Sequence, residues 1–554
     1  MIILLNYLVF VFKFYIFWAF LILLGRAFIK ILFSITKQNK TFHKYKISDT
    51  SIAIFYPILG LAFLGNILFI SHFLFPLGNK QLYFIALFAV FVNIKDINNI
   101  KIFTLNYIKI LKFFIIPIIL LFSSYDIAFH YDAGFYHLNH QNWLRTSNLI
   151  IGFVNVYWPF GIGSIYEYIS SVLWFDETFI LLHFLNLVFI IFFYNFCLEH
   201  LAKINNNFLK FPIIFVIIFG FLDNFGLNGG RNGYFYIQGV TASDLAVGIL
   251  FFVTSLILIS RLREFKFDII EFHIFTILSL FLIQIKLSAV FITFLLFIYL
   301  YKIFSVKTTK FKYFIKLIGP YVVLSLFWTI KTLLSTGCFI FPVDFTCMNF
   351  LNWYVAGSTK EFEIISTSYS KAYVLGESLI GWVELILNDS IRRTVIVNFL
   401  MSLFIIYFIK KIFFKTRTTQ LKDRSIVNIF IFVNLIYFVL AGPTPRYGIG
   451  ILMVIISSLG FNVQGWKYNL NYKYILYFIF LFTLVFTTKL DSYKSFNFSK
   501  EPAVYLPIVE YTTTYNQWLK PSSGDKCWIN LYCTMSKNKI EISKGRVFNK
   551  AIKK

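Results

Sequence analysis

The sequence is divided into apolar blocks of about 15 to 25 residues, each bounded by short charged or Asn-rich stretches. One membrane-spanning helix needs about 20 apolar residues to cross a hydrocarbon core of about 30 Å. We predict such helices at 2–24, 51–75, 81–94, 107–123, 177–196, 211–222, 240–260, 269–285, 287–301, 317–335, 394–410, 426–441, 448–463 and 473–488. The predicted fold is an all-α polytopic membrane protein with about 14 transmembrane helices, in a range of about 12–14.

The charge composition excludes other classes of protein. Only 14% of the residues are charged, against about 25% in soluble proteins. The 51 Lys and Arg residues exceed the 25 Asp and Glu residues and give a net charge of +26. In a soluble protein this excess would suggest nucleic acid, but in a membrane protein basic residues mostly set orientation. We therefore expect the lipid bilayer, and no nucleic acid, as a partner.

The distribution of charge predicts the topology. The segments after the first, seventh, ninth and eleventh predicted spans are basic, which is typical of the cytoplasmic side. An even number of crossings must separate the segments after the seventh and ninth spans, so 269–301 is predicted as two short helices that meet near Lys286. The acidic segments 124–176 and 336–391 then lie outside as two loops.

One pair of residues opposes this topology. Arg392 and Arg393 begin the eleventh span on the outer side. A crossing by residues 372–388 would change the parity, but Glu377 and Glu384 favour a helix in the membrane interface, because charges at the bilayer centre are expensive. The predicted regions are the N-terminal spans (1–123), first outer loop (124–176), central spans (177–335), second outer loop (336–391), C-terminal spans (392–488) and a small polar, folded, extracytoplasmic tail (489–554).

The cysteines support the outer location of the second loop and the tail. Cys338 and Cys347 flank GCFIFPVDFTC, and Cys527 and Cys533 flank CWINLYC. Two closely spaced pairs suggest two disulfides in an oxidising compartment, with free thiols as the alternative. Neither pair has the usual Cys-x₂₋₄-Cys spacing or partner histidines of a metal site. Cys197 is interpreted as a small apolar residue.

The densest polar cluster is SYDIAFHYDAGFYHLNHQNWLR at 124–145. From Asp132 it predicts a short helix on the membrane surface, with Asp132 and Tyr136 on one face. Phe135 and Leu138 are placed to dip into lipid. A partly desolvated carboxylate here can act as a general base that takes the proton from an acceptor hydroxyl. The alternative is that Asp132 caps the helix.

Two histidines in the cluster leave a second question open. His137 and His140 are three residues apart and, with Asp126 or Asp132, have the ligand types of a metal site. The alternative is a pair of hydrogen-bonded interfacial histidines. The sequence thus requires no cofactor and leaves a divalent metal open.

The stretch Tyr-Asp-Ala-Gly-Phe-Tyr-His at 131–137, after a membrane helix and ahead of a Trp, resembles the first large outer loop of GT-C-type membrane glycosyltransferases. It is most similar to a largely uncharacterised family of large bacterial inner-membrane proteins. Further matches in the same order are TASDLAVG (241–248), IKLSAV (285–290), GCFIFPVDF (337–345), GPTPRYGIG (442–450) and GDKCWINLYC (524–533). In this sequence about four spans precede the loop, whereas in many GT-C enzymes the loop follows the first helix.

This resemblance implies a GT-C architecture in a bacterial inner membrane. It implies transfer of a sugar from a polyprenyl-phosphate carrier to a glycan, lipid or protein acceptor on the outer face, with Asp132 as the catalytic base. We expect Tyr136, His137 and His140 to contact substrate. A lipid-phosphate leaving group also needs positive charge, for which Arg231, Lys286 and Arg446 are candidates, since arginine in particular donates paired hydrogen bonds to phosphate. Membrane anchoring is the alternative role for Arg446.

Two other functions compete with the glycosyltransferase. A transporter or flippase for lipid-linked glycans would usually show inverted repeats and paired broken helices, which the sequence lacks. An O-antigen-type polymerase or ligase would fit arginines on two outer loops, whereas these loops are mostly acidic. Asp244 and Gln284 are further polar candidates for the lining of a substrate cavity, and the sequence does not decide whether they belong to it.

Overall fold

The structure is a computed structural model that describes residues 2–36, 46–47, 50–97, 107–175, 178–202, 207–225, 237–263, 268–306, 311–360, 362, 379–416, 424–440, 445–468, 472–497, 501–513, 518–535, 540–543 and 549–553. These residues are mostly helical. The helices that match predicted spans are Ile2–Thr36, Tyr56–Ser71, Asn79–Ile97, Tyr107–Ile110 continued by a π-helical turn (Leu111–Ile115) and Ile116–Leu121, Ile180–Ala202, Asn207–Phe225, Asp244–Arg263, Ile269–Ile285, Ile292–Val306, Phe311–Thr336, Ser390–Phe413, Arg424–Leu440, Pro445–Ser458 and Tyr472–Thr487.

Every predicted span therefore contains a helix. Among the described residues, seven helices are both long and apolar enough to cross a membrane, and several shorter apolar helices accompany them. This set of helices indicates a multi-pass membrane protein, whereas the number of fourteen crossings stays a prediction. The predicted separation near Lys286 is confirmed, because Ile269–Ile285 ends there and a 3₁₀ turn, Leu287–Ala289, precedes Ile292–Val306.

Two central helices, Ile180–Ala202 and Asp244–Arg263, are almost entirely buried among the others. At the N-terminal end of the chain, Ile2–Thr36 packs closely against Tyr56–Ser71. A Cβ at Gly25 would lie 2.0 Å from the carbonyl oxygen of Tyr56. Only glycine allows such a close approach of two helix backbones, as is common where membrane helices cross.

Short helices and small sheets lie in the loops and the tail. The short helices are Leu138–Thr146, Ile165–Ser171, Leu379–Asn388 and Leu490–Lys494. The strand pairs are Lys46–Ile47 with Thr50–Ser51, Phe414–Thr416 with Val463–Trp466, and Tyr511–Thr513 with Leu519–Pro521, all antiparallel. Of the predicted interfacial helix, residues 379–388 are helical and 372–378 lie outside the described residues.

The first outer loop, the second outer loop and the tail form one layer. Strand Asn549–Lys553 of the tail pairs in parallel with Ile150–Ile151 of the first loop and antiparallel with Ile540–Ser543. The amide of Asn155 donates to the carbonyl of Trp353 in the second loop at 3.0 Å and to that of Ala551 in the tail at 3.1 Å. The three segments therefore lie on the same side of the helices, as the topology predicts.

Both predicted disulfides are present. Cys338 is bonded to Cys347, and Cys527 to Cys533. Cys197 is free and buried inside Ile180–Ala202, in agreement with its interpretation as a small apolar residue. Residues 527–533, closed by the second disulfide, are called the tail loop below.

Candidate functional site

The helix that carries Asp132 differs from the predicted surface helix. It starts with a π-helical turn, Ala133–His137, and continues as Leu138–Thr146. The Asp132 side chain makes no capping hydrogen bond to this helix, so the capping alternative is not what the structure adopts. Leu138, which was expected to dip into lipid, is instead fully buried, whereas Phe135 is partly exposed and packs edge-on against Tyr157 at 5.4 Å. The reason is that other loop segments and the tail cover this helix.

The tail loop holds the outer side of the Asp132 helix. The Trp528 amide donates to the carbonyl of Gly134 at 2.9 Å, and the Asn142 side chain donates to the carbonyl of Ile529 at 2.7 Å. The Tyr131 hydroxyl donates to the Asp525 carboxylate, which raises the pKa of Tyr131 to about 12. These contacts explain why a short polar helix keeps one position at the surface of the protein.

A backbone bridge positions Asp132 against the central helices. Phe129 pairs in parallel with Val240; the His130 amide donates to the Val240 carbonyl at 3.1 Å, and the Val240 amide donates to the Ala128 carbonyl at 2.9 Å. Helix Asp244–Arg263 begins four residues after Val240. The bridge therefore places the first outer loop beside the start of that helix.

The carboxylate of Asp132 lines a cavity of about 510 Å³, which we call the Asp132 cavity. Asp132 itself is only 7% exposed. Five of the residues predicted as site residues line this cavity together, namely Asp132, Tyr136, His137, His140 and Lys286.

Lys286 lies at the wall of the cavity and forms an ion pair with Asp244. Lys286 follows the last residue of Ile269–Ile285, and Asp244 opens Asp244–Arg263, so two helix ends bring the pair together. The Ser164 hydroxyl donates to the carbonyl of Ile285 at 2.7 Å and ties the first outer loop to the same helix end. Gln284 points elsewhere and exchanges hydrogen bonds of 3.1 and 3.2 Å with Asn66.

His137 belongs to a buried polar network at the cavity wall. Its Nδ1 is paired with one oxygen of the Glu167 carboxylate. The other oxygen accepts a hydrogen bond of 2.7 Å from the Gln141 amide, whose own oxygen accepts one of 2.8 Å from Trp174 Nε1. Glu167 is 2% exposed, and a buried carboxylate requires this kind of pairing. The network fixes the His137 ring toward the cavity.

His140 is enclosed by aromatic rings. It stacks on Phe160 with ring centroids 5.5 Å apart and lies 5.6 Å from Phe153. Burial, together with the positive charge of Lys331, lowers the pKa of His140 well below its usual value near 6.5. The imidazole is therefore neutral at physiological pH.

The metal hypothesis gains no support from this arrangement. Among the described residues, no group of three His, Cys, Asp or Glu side chains could hold a metal ion. His137 is paired with Glu167, whereas His140 lies among aromatic rings, so the two imidazoles lie in different environments.

The two predicted arginines are less well placed by the structure. Arg231 lies outside the described residues. Arg446 lies in the first turn of helix Pro445–Ser458, for which the structure describes the backbone at that position. This helix packs against Asp244–Arg263, and a cavity of about 290 Å³ between them is lined by Asp244, Gly248 and Ile449. Ile449, three residues after Arg446, therefore lies close to Asp244 of the ion pair.

Two residues that the structure makes prominent, Glu167 and Lys331, were not among the predicted site residues. Glu167 counted only as one acid of an acidic loop, and no local pattern links it to His137, thirty positions away. Lys331 is buried in the predicted span 317–335. It had a usable signal, because an ionisable residue within a membrane helix is a functional candidate by default.

Comparison with known proteins places the chain in a family. A family described as a domain of unknown function, DUF8201, matches residues 3–453. The chain belongs to the DUF8201 family. No curated protein and no solved structure matches it. DUF8201 has no assigned activity, so the resemblance to GT-C enzymes stays a prediction.

Proposed function

We propose that this protein is a membrane glycosyltransferase that moves a sugar from a polyprenyl-phosphate carrier to an acceptor at the outer face of the bacterial inner membrane, with Asp132 as general base. The observation that carries the proposal is the position of Asp132. Its carboxylate is nearly buried and lines a cavity together with four other residues that were selected from the sequence.

The chemistry needs a carboxylate next to an acceptor hydroxyl. As the hydroxyl oxygen attacks the anomeric carbon, its proton passes to the carboxylate, and the bond from that carbon to the lipid phosphate breaks. Asp132 fits the role of base because it lines a space that can admit a hydroxyl and is shielded from bulk water. The Nδ1 of His130, two residues earlier, lies 3.8 Å from the Asp132 carboxylate and accepts from the Asp132 amide at 3.3 Å.

The lipid phosphate that leaves needs positive charge on another wall of the cavity. Lys286 supplies an ammonium group there, held in place by Asp244. Helix Pro445–Ser458, which carries Arg446 in its first turn, lines a neighbouring cavity with Asp244 through Ile449. In the proposal Lys286 and Arg446 bind the donor phosphate, while His137, fixed by Glu167, and Tyr136 contact the sugar or the acceptor.

The test is complementation of a deletion strain, followed by mass spectrometry of the envelope glycans. Wild-type protein should restore the glycan that is lost on deletion, and Asp132→Asn, which keeps the shape of the side chain but cannot accept the proton, should not. Asp126→Asn is the matched control, because Asp126 lies in the same loop but outside the cavity lining. Full restoration by Asp132→Asn would refute the assignment of the base.

The same variants distinguish an enzyme from a transporter. In sealed vesicles that contain a lipid-linked sugar, a transporter moves the intact lipid across the bilayer without cleaving it. Glycosyl transfer instead releases the polyprenyl phosphate. Translocation of uncleaved lipid by wild-type protein and equally by Asp132→Asn would favour the transporter over the enzyme.

A further inference from the structure

Lys331 is a buried lysine without an acidic partner. It is 3% exposed, and among the described residues no carboxylate forms an ion pair with it. Its ammonium instead lies over two aromatic rings, 5.2 Å from the centroid of Trp328 and 6.0 Å from that of Tyr168. Aromatic faces only partly replace the hydration of an ammonium group, so a buried lysine of this kind carries a large desolvation cost.

The lysine lines a cavity of about 280 Å³ with His72, Trp143, His140 and Ser335, which we call the Lys331 cavity. Two of these residues have buried nitrogens, Trp143 Nε1 and His72 Nδ1, for which the described part of the chain supplies no hydrogen-bond partner. Buried polar atoms in native proteins are nearly always paired, so an unpaired one indicates a ligand, water or ion. Here the residues that carry these two atoms line the same cavity as Lys331.

The hydrogen-bonding character of the three nitrogens can be assigned. His72 Nε2 lies 3.0 Å from the carbonyl oxygen of Ser147, and a carbonyl only accepts, so Nε2 carries the hydrogen. Burial first, and then the charge of Lys331, lowers the pKa of His72 to about 4, which leaves Nδ1 as a bare acceptor. Lys331 and Trp143 are donors. The cavity therefore offers a positive charge, a second donor and one acceptor.

We propose that the Lys331 cavity binds a phosphate monoester or inorganic phosphate, with ligand oxygens accepting from Lys331 and Trp143 and a ligand hydroxyl donating to His72. A singly protonated phosphate carries both kinds of group. A carboxylate or a phosphodiester is a worse match, because it has no hydrogen to donate to His72.

The helix that carries Lys331 has an apolar outer face. In Phe311–Thr336, Leu326 is 55% and Ile330 46% exposed, whereas Lys331 is buried. The phosphate thus has two sources, a free ion from the aqueous side or the headgroup of a lipid monophosphate. The proposal is independent of sugar transfer, although the cavity shares His140 with the Asp132 cavity.

The test is the thermal unfolding of the full-length protein, purified in a neutral detergent and titrated with sodium phosphate or with sodium sulfate at matched ionic strength. Sulfate stabilises proteins generally but has no hydrogen to donate near neutral pH. We expect a saturable rise of the unfolding midpoint with phosphate that exceeds the rise with sulfate. Lys331→Met should raise the half-saturating phosphate concentration at least about tenfold, and Trp143→Phe about threefold.

Three controls make the test decisive. Lys302→Met removes a lysine from another helix, where its ammonium donates to the carbonyl of Leu262, and should leave the phosphate response unchanged. Asp132→Asn should also leave it unchanged, which separates this proposal from the catalytic one. Should Lys331→Met fail to fold, Trp143→Phe, which keeps the ring and removes only the N–H, decides the outcome.

A lipid experiment identifies the source of the phosphate. The same protein is reconstituted in nanodiscs of phosphatidylcholine with added phosphatidic acid, a monoester, or phosphatidylglycerol, a diester. A Lys331-dependent rise with phosphatidic acid and not with phosphatidylglycerol assigns a lipid monophosphate, and a rise with inorganic phosphate alone assigns the free ion. The proposal is overturned if neither probe stabilises the wild-type protein, or if Lys331→Met responds as the wild type does.

Discussion

Substitution of Gly134 tests whether the tail loop holds the Asp132 helix. A Cβ at Gly134 would lie 2.8 Å from Cε2 of Trp528 and 2.9 Å from two further ring atoms. Such contacts are shorter than real Cβ atoms make, and the ring is itself held through the hydrogen bond from its amide to the Gly134 carbonyl. Gly134→Ala must therefore push the tail loop away from the helix.

The magnitude follows from two opposing effects. Overpacking a filled contact costs about 1–3 kcal/mol. Alanine in a helix is favoured over glycine by about 1 kcal/mol, because it restricts the unfolded chain. The net destabilisation of the contact is then about 0–2 kcal/mol. In a Trp528→Ala background the clash is gone, and the same substitution should stabilise the helix by up to about 1 kcal/mol.

The suitable assay is hydrogen exchange followed by mass spectrometry, which reports the free energy of local opening for peptides from 124–146 and 518–535. Gly134→Ala should accelerate exchange in both regions in the wild-type background and slow it in the helix of the Trp528→Ala protein. Gly319→Ala is the control, because a Cβ there meets nothing within 4 Å. If Gly134→Ala has the same effect with and without Trp528, the tail loop does not restrain the Asp132 helix.

Three further substitutions test the charges around the two cavities. Glu167→Gln removes the negative charge that faces His137 and should lower the free energy of unfolding by about 1.5–3 kcal/mol. Chemical unfolding measures this change, and an unchanged value would contradict the pairing of Glu167 with His137. Lys286→Met removes the cation that is paired with the buried Asp244 and should cost about 3–5 kcal/mol. The double variant with Asp244→Leu should recover most of this loss, and equal losses in the single and double variants would speak against the pair. The pKa of His72 is about 4 in the folded protein, below its unfolded value of 6.5. Between pH 6.5 and pH 4 the unfolded state therefore binds more protons than the folded state. About 3 kcal/mol of stability should be lost as the pH falls through this window. Unfolding measured across that window should show a shallower pH dependence for His72→Gln, and an identical slope would exclude His72 as its source.

The parts of the fold that follow from local patterns were predictable. Apolar block length determines where membrane helices form, and the basic segments on either side of 269–301 required the separation at Lys286 that the structure has. Close spacing of cysteines was likewise enough to predict both disulfides. The π-helical turn at Ala133–His137 was not predictable, because helical periodicity alone does not reveal an inserted residue.

Single residues of the candidate site could be predicted from the sequence, but the residues that they contact could not. Asp132, His137 and Lys286 were selected because each is a polar group at an unusual place in an apolar sequence. Their partners depend on contacts between distant segments, such as the bridge of Phe129 with Val240. No pattern within one segment carries that information. Lys331 is different, since its place in an apolar span was visible and only its cavity needed the structure.

Arg392 and Arg393 oppose the predicted topology, and contacts among the outer segments bear on this conflict. The Asn155 side chain bonds to the second loop and to the tail, so these segments share one side. The predicted spans satisfy this condition, because six lie between the two loops and four between the second loop and the tail, and both numbers are even. One more crossing by Leu379–Asn388 would move the tail to the opposite side.

Helix length leads to the same result. Leu379–Asn388 has 10 residues, and at 1.5 Å per residue it spans about 15 Å, roughly half of the hydrocarbon core. Glu384 in this helix is exposed, as expected for a helix in the interface and not for one in the bilayer centre. In the predicted topology, Arg392 and Arg393, in the first turn of Ser390–Phe413, therefore begin that helix on the outer side. The excess of basic residues on the cytoplasmic side is a statistical tendency. Arg392 and Arg393 are an exception to it in this topology, which the contacts between the loop and the tail support.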